Sequence, residues 1–211
     1  MARAAEEIAL LLIRDRGGWY CSGADAADCL AGGLLAELTT EGFLDREVDE
    51  ADIWSRKRIR SQSVEPPSDP VLAQAWETIS EQSGAIAVQR TLAKTARDLV
   101  MEPLVRAETV SRTPRLLLGP RHQLLETTRR DAVRAELLPI VLDGADADDR
   151  QRGIIQLLNG AYCLRQALGL PLSQTMAVGR GVRALGKPVW PEQTAIRQMV
   201  GRRAAAASAG S

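Results

Sequence analysis

At 211 residues the chain has room for one large domain or two small ones, and its 45% of apolar residues can fill a substantial core. Aromatic residues make up only 3%, so that core is built from Leu, Ala, Val and Ile, which suits packed helices better than a β-sandwich. Basic and acidic side chains balance at 27 each. This argues against a protein that binds nucleic acid through its overall charge, and any anion site must come from a local cluster.

The positive charge is nearly all arginine, with Lys57, Lys94 and Lys187 the lysines. Together with the many alanines this points to a gene from a GC-rich bacterium. Cys21, Cys29 and Cys163 are odd in number and not spaced as a metal or redox motif, so reduced thiols in a cytosolic protein are expected. The apolar run Ile8 to Ile13 follows Glu6 and Glu7 and is too short for a signal peptide. No run approaches the roughly 20 residues of a membrane span. The expected location is the cytoplasm, or the inner face of a membrane as a peripheral protein.

In chain order, residues 4–13 read as a helix with Ile8, Leu11 and Leu12 on one face, stopped by Gly17 and Gly18. A second helix covers 23–40, where Ala27, Leu30, Leu34, Leu35 and Leu38 recur at helical spacing. Gly32 and Gly33 lie inside it, each at a cost of roughly 1 kcal/mol against alanine. Close approach of another helix best explains them, which makes this a central element. Residues 43–48 and 53–60 read as a short hairpin. Ser68 or Asp69 caps the next helix, with Pro70 in its first turn and Val71, Leu72, Ala75, Trp76 and Ile79 turned inward.

A longer helix spans 86–101 and is expected to end before Pro103. Residues 104–110 and 115–125 read as a second hairpin. Helices follow over 128–142, 149–168, 172–185 and 191–203, and the Ala/Ser/Gly stretch 204–211 reads as a disordered tail. The expected fold is mainly α: a helical bundle with surrounding amphipathic helices and one or two short β-hairpins, in a single domain over 1–203.

Four stretches taken together resemble the Golgi phosphoprotein 3-like family. They are Glu7-Ile8-Ala9-Leu10-Leu11-Leu12 followed by Asp15-Arg16-Gly17-Gly18; Leu30-Ala31-Gly32-Gly33-Leu34-Leu35-Ala36-Glu37-Leu38 leading to Glu41-Gly42-Phe43-Leu44; Asp69-Pro70-Val71-Leu72 with Ala75; and Leu99-Val100 before a hairpin, with a Leu-rich helix at 154–168. The resemblance implies a helical bundle with a hydrophobic hairpin on one surface. It also implies a non-enzymatic protein that binds phosphatidylinositol 4-phosphate at membranes and acts as an adaptor. The family's headgroup positions (a tryptophan, an arginine in the second helix and two arginines on the helix before the hairpin) fall on Ser22, Ala31, Gln89 and Leu92, and none of the four matches.

Several clusters remain as candidates. Arg90, Lys94 and Arg97 line one side of the 86–101 helix, opposite Val88, Leu92, Ala96 and Leu99; they form either a lipid-facing stripe or a solvated helix face. Arg56, Lys57, Arg58 and Arg60 form the densest basic run, which either touches anionic lipid or guards an edge strand. Arg14, Arg16 and Trp19 place an aromatic beside arginines, at a lipid interface or as a cover on the core. Leu116, Leu117 and Leu118 break the alternation of a half-wet hairpin arm. Membrane dipping, a partner protein, self-association or intramolecular burial would cover them.

His122 is the only histidine, and no nucleophile motif accompanies it. No catalytic residue, cofactor or metal site is expected. The acidic loop of Asp143, Asp146, Asp148 and Asp149 reads as a helix cap at Asp148 or Asp149 rather than as ligands for a hard cation. The partners expected are anionic phospholipid headgroups or another protein. A soluble protein–protein adaptor or dimer that has lost lipid binding is the alternative.

Overall fold

The computed structural model describes residues 3–47, 58–61, 65–79, 85–115, 120–190 and 192–209. Helix α1 (Ala4–Leu12) is buried almost all round, with Ile8, Leu10, Leu11 and Leu12 at 0–1% exposure. A helix apolar on every side belongs at the centre of a packed protein. Its partner α2 (Gly23–Thr40) is equally central and also meets the two hairpin-flanking helices and the C-terminal one. The paired glycines explain how. A Cβ on Gly33 would lie 3.0 Å from the Ala5 Cα, so α1 crosses there backbone to backbone, and one on Gly32 would press on Leu157 and Ile196.

Strands β1 (Leu44–Glu47) and β2 (Arg58–Ser61) pair antiparallel, Leu44 opposite Ser61. Helix α3 (Pro70–Ile79) is capped by Asp69, whose carboxylate accepts the Val71 and Leu72 N–H groups at 2.9 and 3.1 Å. Helix α4 (Ala85–Arg106) packs along α2 and leads to β3 (Val110–Thr113), which pairs antiparallel with β4 (Arg121–Leu124). The second half is helical: α5 (Thr128–Asp143), α6 (Asp149–Gly160), the single turn α7 (Leu164–Ala167), α8 (Thr175–Ala184) and α9 (Glu192–Ala209). The fold is mainly α with two short hairpins among the described residues, as composition and periodicity predict. Asp148 forms a capping box with Gln151 at the start of α6, so the acidic loop is a helix start.

Four boundaries differ from the sequence expectation. Helix α4 passes through Pro103 to Arg106. Proline forfeits one backbone bond, and the burial of Met101 and Leu104 at 2% and 1% holds the last turn regardless. The first arm of the second hairpin therefore starts at Val110, not 104. The expected 149–168 helix breaks at Tyr162, which sits at φ 56 while Cys163 N–H returns to the Leu158 carbonyl. The 172–185 helix opens with a 3-10 turn at Leu172–Gln174. Finally, α9 continues to Ala209, where a disordered tail from 204 is expected; the run of alanines favours helix more than any other residue does.

Candidate functional site

The loop between α1 and α2 folds back on itself. Ile13 bridges Trp19, Arg14 N–H donates to the Gly18 carbonyl at 2.9 Å, and Tyr20 N–H donates to that of Leu12 at 2.9 Å. The reversal places Gly17 and Gly18 at φ 82 and 84, a region that side chains disfavour. The loop then docks on β4: Gly18 N–H donates to the His122 carbonyl at 2.9 Å, and the Arg121 guanidinium donates to the Arg16 carbonyl. A Cβ on Gly17 would sit 2.6 Å from Arg121 Nε and 3.2 Å from the His122 oxygen, so any side chain there would also have to push the Arg121 guanidinium aside.

Docking sets the Trp19 ring 5.9 Å from that of His122, tilted by 57°. His122 is 2% exposed, and its Nδ1 is buried without a hydrogen-bond partner among the described residues. Burial lowers its pKa first, the positive charges of Arg112 and Arg97 lower it further, and Asp98 opposes them. Arg112 stands opposite His122 in the hairpin register. Arg97 comes from α4 and is half-buried, its guanidinium 3.7 Å from where a Cβ on Gly23 would be, at the first turn of α2. Among the described residues Arg14, Arg16, Arg97 and Arg112 make no ion pair. Arg14 instead lies 5.9 Å from the centre of the Tyr20 ring. Three separate segments thus bring cations and an indole around one buried imidazole.

The family model for Golgi phosphoprotein 3 (GPP34) matches residues 4–203. The chain belongs to the Golgi phosphoprotein 3 (GPP34) family. No curated protein matches it. GPP34 is not known as an enzyme family. Among the described residues no helix is long and apolar enough to cross a membrane, and no three His, Cys, Asp or Glu side chains are placed to hold a metal.

Of the positions on which the resemblance is expected to place headgroup residues, three face inward. Ala31 and Leu92 are 0% exposed, and Gln89 is 1% exposed with its Nε2 donating to the Asp28 carbonyl at 2.7 Å. Ser22 is the N-cap of α2, its hydroxyl accepting from Asp25 N–H. All four serve packing, a hydrogen bond or a helix cap here. The predicted stripe fares differently: Arg90 and Lys94 are exposed and Arg97 half-buried, while Val88, Leu92 and Ala96 are buried. Arg90 is also near enough to Asp28 to favour its ionised form. Trp19 is half-buried against the core, so it covers the core and walls the cluster at once.

Arg56, Lys57 and Leu116 to Leu118 lie outside the described residues. Arg58 and Arg60 stand on β2 opposite Glu47 and Asp45.

Sequence reading missed Arg112 and Arg121, and set His122 aside because nothing near it in sequence could act with it. It also missed the convergence of the cysteines. The Cys29 and Cys163 thiols donate to adjacent α6 carbonyls, of Leu157 and Leu158, at 3.9 and 3.4 Å, and Cys21 lies near enough to Cys163 for the two to affect each other's ionisation. The Cys21 thiol is pushed well up, first by its bond with Cys163 and then by burial. It stays protonated and poorly nucleophilic at neutral pH.

Proposed function

We propose that this GPP34 member is a non-enzymatic peripheral protein that binds anionic headgroups through the surface around Trp19, Arg97, Arg112 and His122. The observation that supports it best is that Arg97 and Arg112, which make no ion pair among the described residues, both act on a buried imidazole whose Nδ1 has no partner among them. Unpaired like charges repel, and a phosphate offers each guanidinium a charge-assisted, often bidentate, acceptor. Trp19 supplies the amphipathic ring favoured at a membrane interface. Arg14 and Arg16 extend the positive surface on one side and Lys94 and Arg90 on the other.

Co-sedimentation with neutral, phosphatidylinositol, cardiolipin and phosphatidylinositol 4-phosphate vesicles across a salt series tests this. Binding to anionic vesicles that weakens as salt rises is the expected result. Each basic residue near an anionic surface contributes about 1 kcal/mol, so Arg97→Glu with Arg112→Glu should weaken binding at least tenfold. Retained binding in that variant moves the contact elsewhere.

The second reading, a protein–protein adaptor, draws on exposed apolar side chains at the start of α8. Leu172 and Met176 are 76% and 78% exposed, and Tyr162 is 63% exposed. A folded protein that ignores every vesicle and elutes as a dimer favours this reading, and Met176→Asp should then return it to a monomer.

A further inference from the structure

A second, separate cleft lies between α8 and α9, about 760 Å³ in volume. Its cations are Arg183 from α8, Lys187 from the connecting loop and Arg197 from α9; Asn159, Gln193 and Gln198 supply amides, and no Asp or Glu lines it among the described residues. Among the described residues none of the three cations makes an ion pair.

The loop that carries Lys187 is held from beneath. Gln156, 1% exposed, donates from Nε2 to the Lys187 carbonyl at 3.2 Å and accepts the Val189 N–H on its oxygen at 2.9 Å. Arg152 donates to the Leu185 carbonyl at 3.1 Å. Trp190, directly after this loop, covers Gly153. On the far wall Gln193 is 8% exposed, and its carboxamide oxygen is buried with no hydrogen-bond partner among the described residues. An unpaired buried acceptor costs free energy unless something donates to it.

We infer that this cleft binds a soluble phosphorylated small molecule, its phosphate groups on Arg183, Lys187 and Arg197. The volume lies within the ordinary range for small-molecule sites, roughly 300–1,000 Å³. A concave surface of one charge sign concentrates anions by focusing the field.

Calorimetric titration of the full chain with ATP, with glucose 6-phosphate and with inorganic pyrophosphate tests the inference. At least one of the two organic phosphates should bind with measurable heat at or below millimolar concentration, with pyrophosphate reporting what charge alone contributes. Arg183→Ala with Arg197→Ala should weaken that binding at least tenfold, while Arg97→Glu with Arg112→Glu, at the other surface, leaves it unchanged. A far-ultraviolet spectrum matching the parent's guards against misfolding. No heat from either organic phosphate at millimolar concentration overturns the proposal, as does binding that survives loss of both arginines. Binding lost in the Arg97/Arg112 variant instead returns the anion to the first surface. Because the vesicle and titration arms use different variants, either site can fail alone.

Discussion

Gly181→Ala is expected to be the most damaging glycine-to-alanine change among the described residues. A Cβ on Gly181 would fall on the carbonyl oxygen of Val141, with the Val141 carbon and Cα only 2.8 and 3.0 Å away. Every atom it meets is backbone, in the last turn of α5, so no side-chain rotation relieves the clash. Helix α8 must instead lift off α5, against which it packs. Overpacking a core costs about 1–3 kcal/mol when side chains can adjust, so a backbone clash should cost at least the upper figure. For a domain of this size that lowers Tm by about 10 °C.

Gly153→Ala sets a useful comparison. Its Cβ would enter the indole of Trp190, which can swing aside because it is a side chain, so the loss should be smaller. Gly201, with nothing within 4 Å, is the control; alanine there should gain up to about 1 kcal/mol from helix propensity. Thermal unfolding followed by circular dichroism reads all three. A Gly181→Ala protein melting within 2 °C of the parent would mean that the α5–α8 contact is looser than described.

What the sequence reveals about this fold follows the range of the interaction involved. Gly32 and Gly33 are conspicuous in a leucine-rich helix because their propensity cost needs a tertiary reason, and the reason is α1, Leu157 and Ile196 at touching distance. Asp69 and Asp148 are legible because a cap is decided within three residues. Pro103 misleads because the local rule is overridden by the burial of its neighbours. At the candidate site, Arg97 is readable from helical spacing. Arg112 and Arg121 are not, since only hairpin register and the docking of the 13–22 loop bring them to Trp19 and His122. Positions 21, 29 and 163 carry no hint of adjacency, because α6 delivers Cys163 across the core to α2. Ala31, Gln89 and Leu92 show the converse: letters aligned to a binding motif say nothing of burial, and burial removes them from any surface site.

Stability should fall, not rise, as pH increases from 4.5 to about 7, and Glu37 is the main reason. Its carboxylate does the work of an N-cap for a different helix. Arg3 gives α1 no side-chain cap, and Glu37 on α2 accepts the Ala5 N–H at 3.1 Å instead. Its second oxygen, Oε2, is buried with no partner among the described residues. Burial pushes the Glu37 pKa up from 4.5 to about 7, against the lowering effects of the Ala5 N–H, Arg3 and the Ala4 N–H.

The sign follows from proton counting. Between the two values the folded state keeps a proton that the unfolded chain has released, so rising pH favours unfolding. The stabilising contribution is complete below 4.5, fades through the window and is gone above about 7. At about 1.4 kcal/mol per pH unit the whole effect is about 3 kcal/mol. Glu7 and Asp28 are also raised, each by burial first with Arg150 and Arg203 respectively opposing, so the parent's slope alone does not isolate Glu37. Glu37→Gln does: the amide resembles the protonated acid and has no proton to lose. Urea unfolding should find the variant close to the parent at pH 4.5 and more stable at pH 8, by up to about 3 kcal/mol. Parallel stability curves for the two proteins would show that Glu37 is already ionised in the folded state, and that the cap on α1 is an ordinary solvated carboxylate.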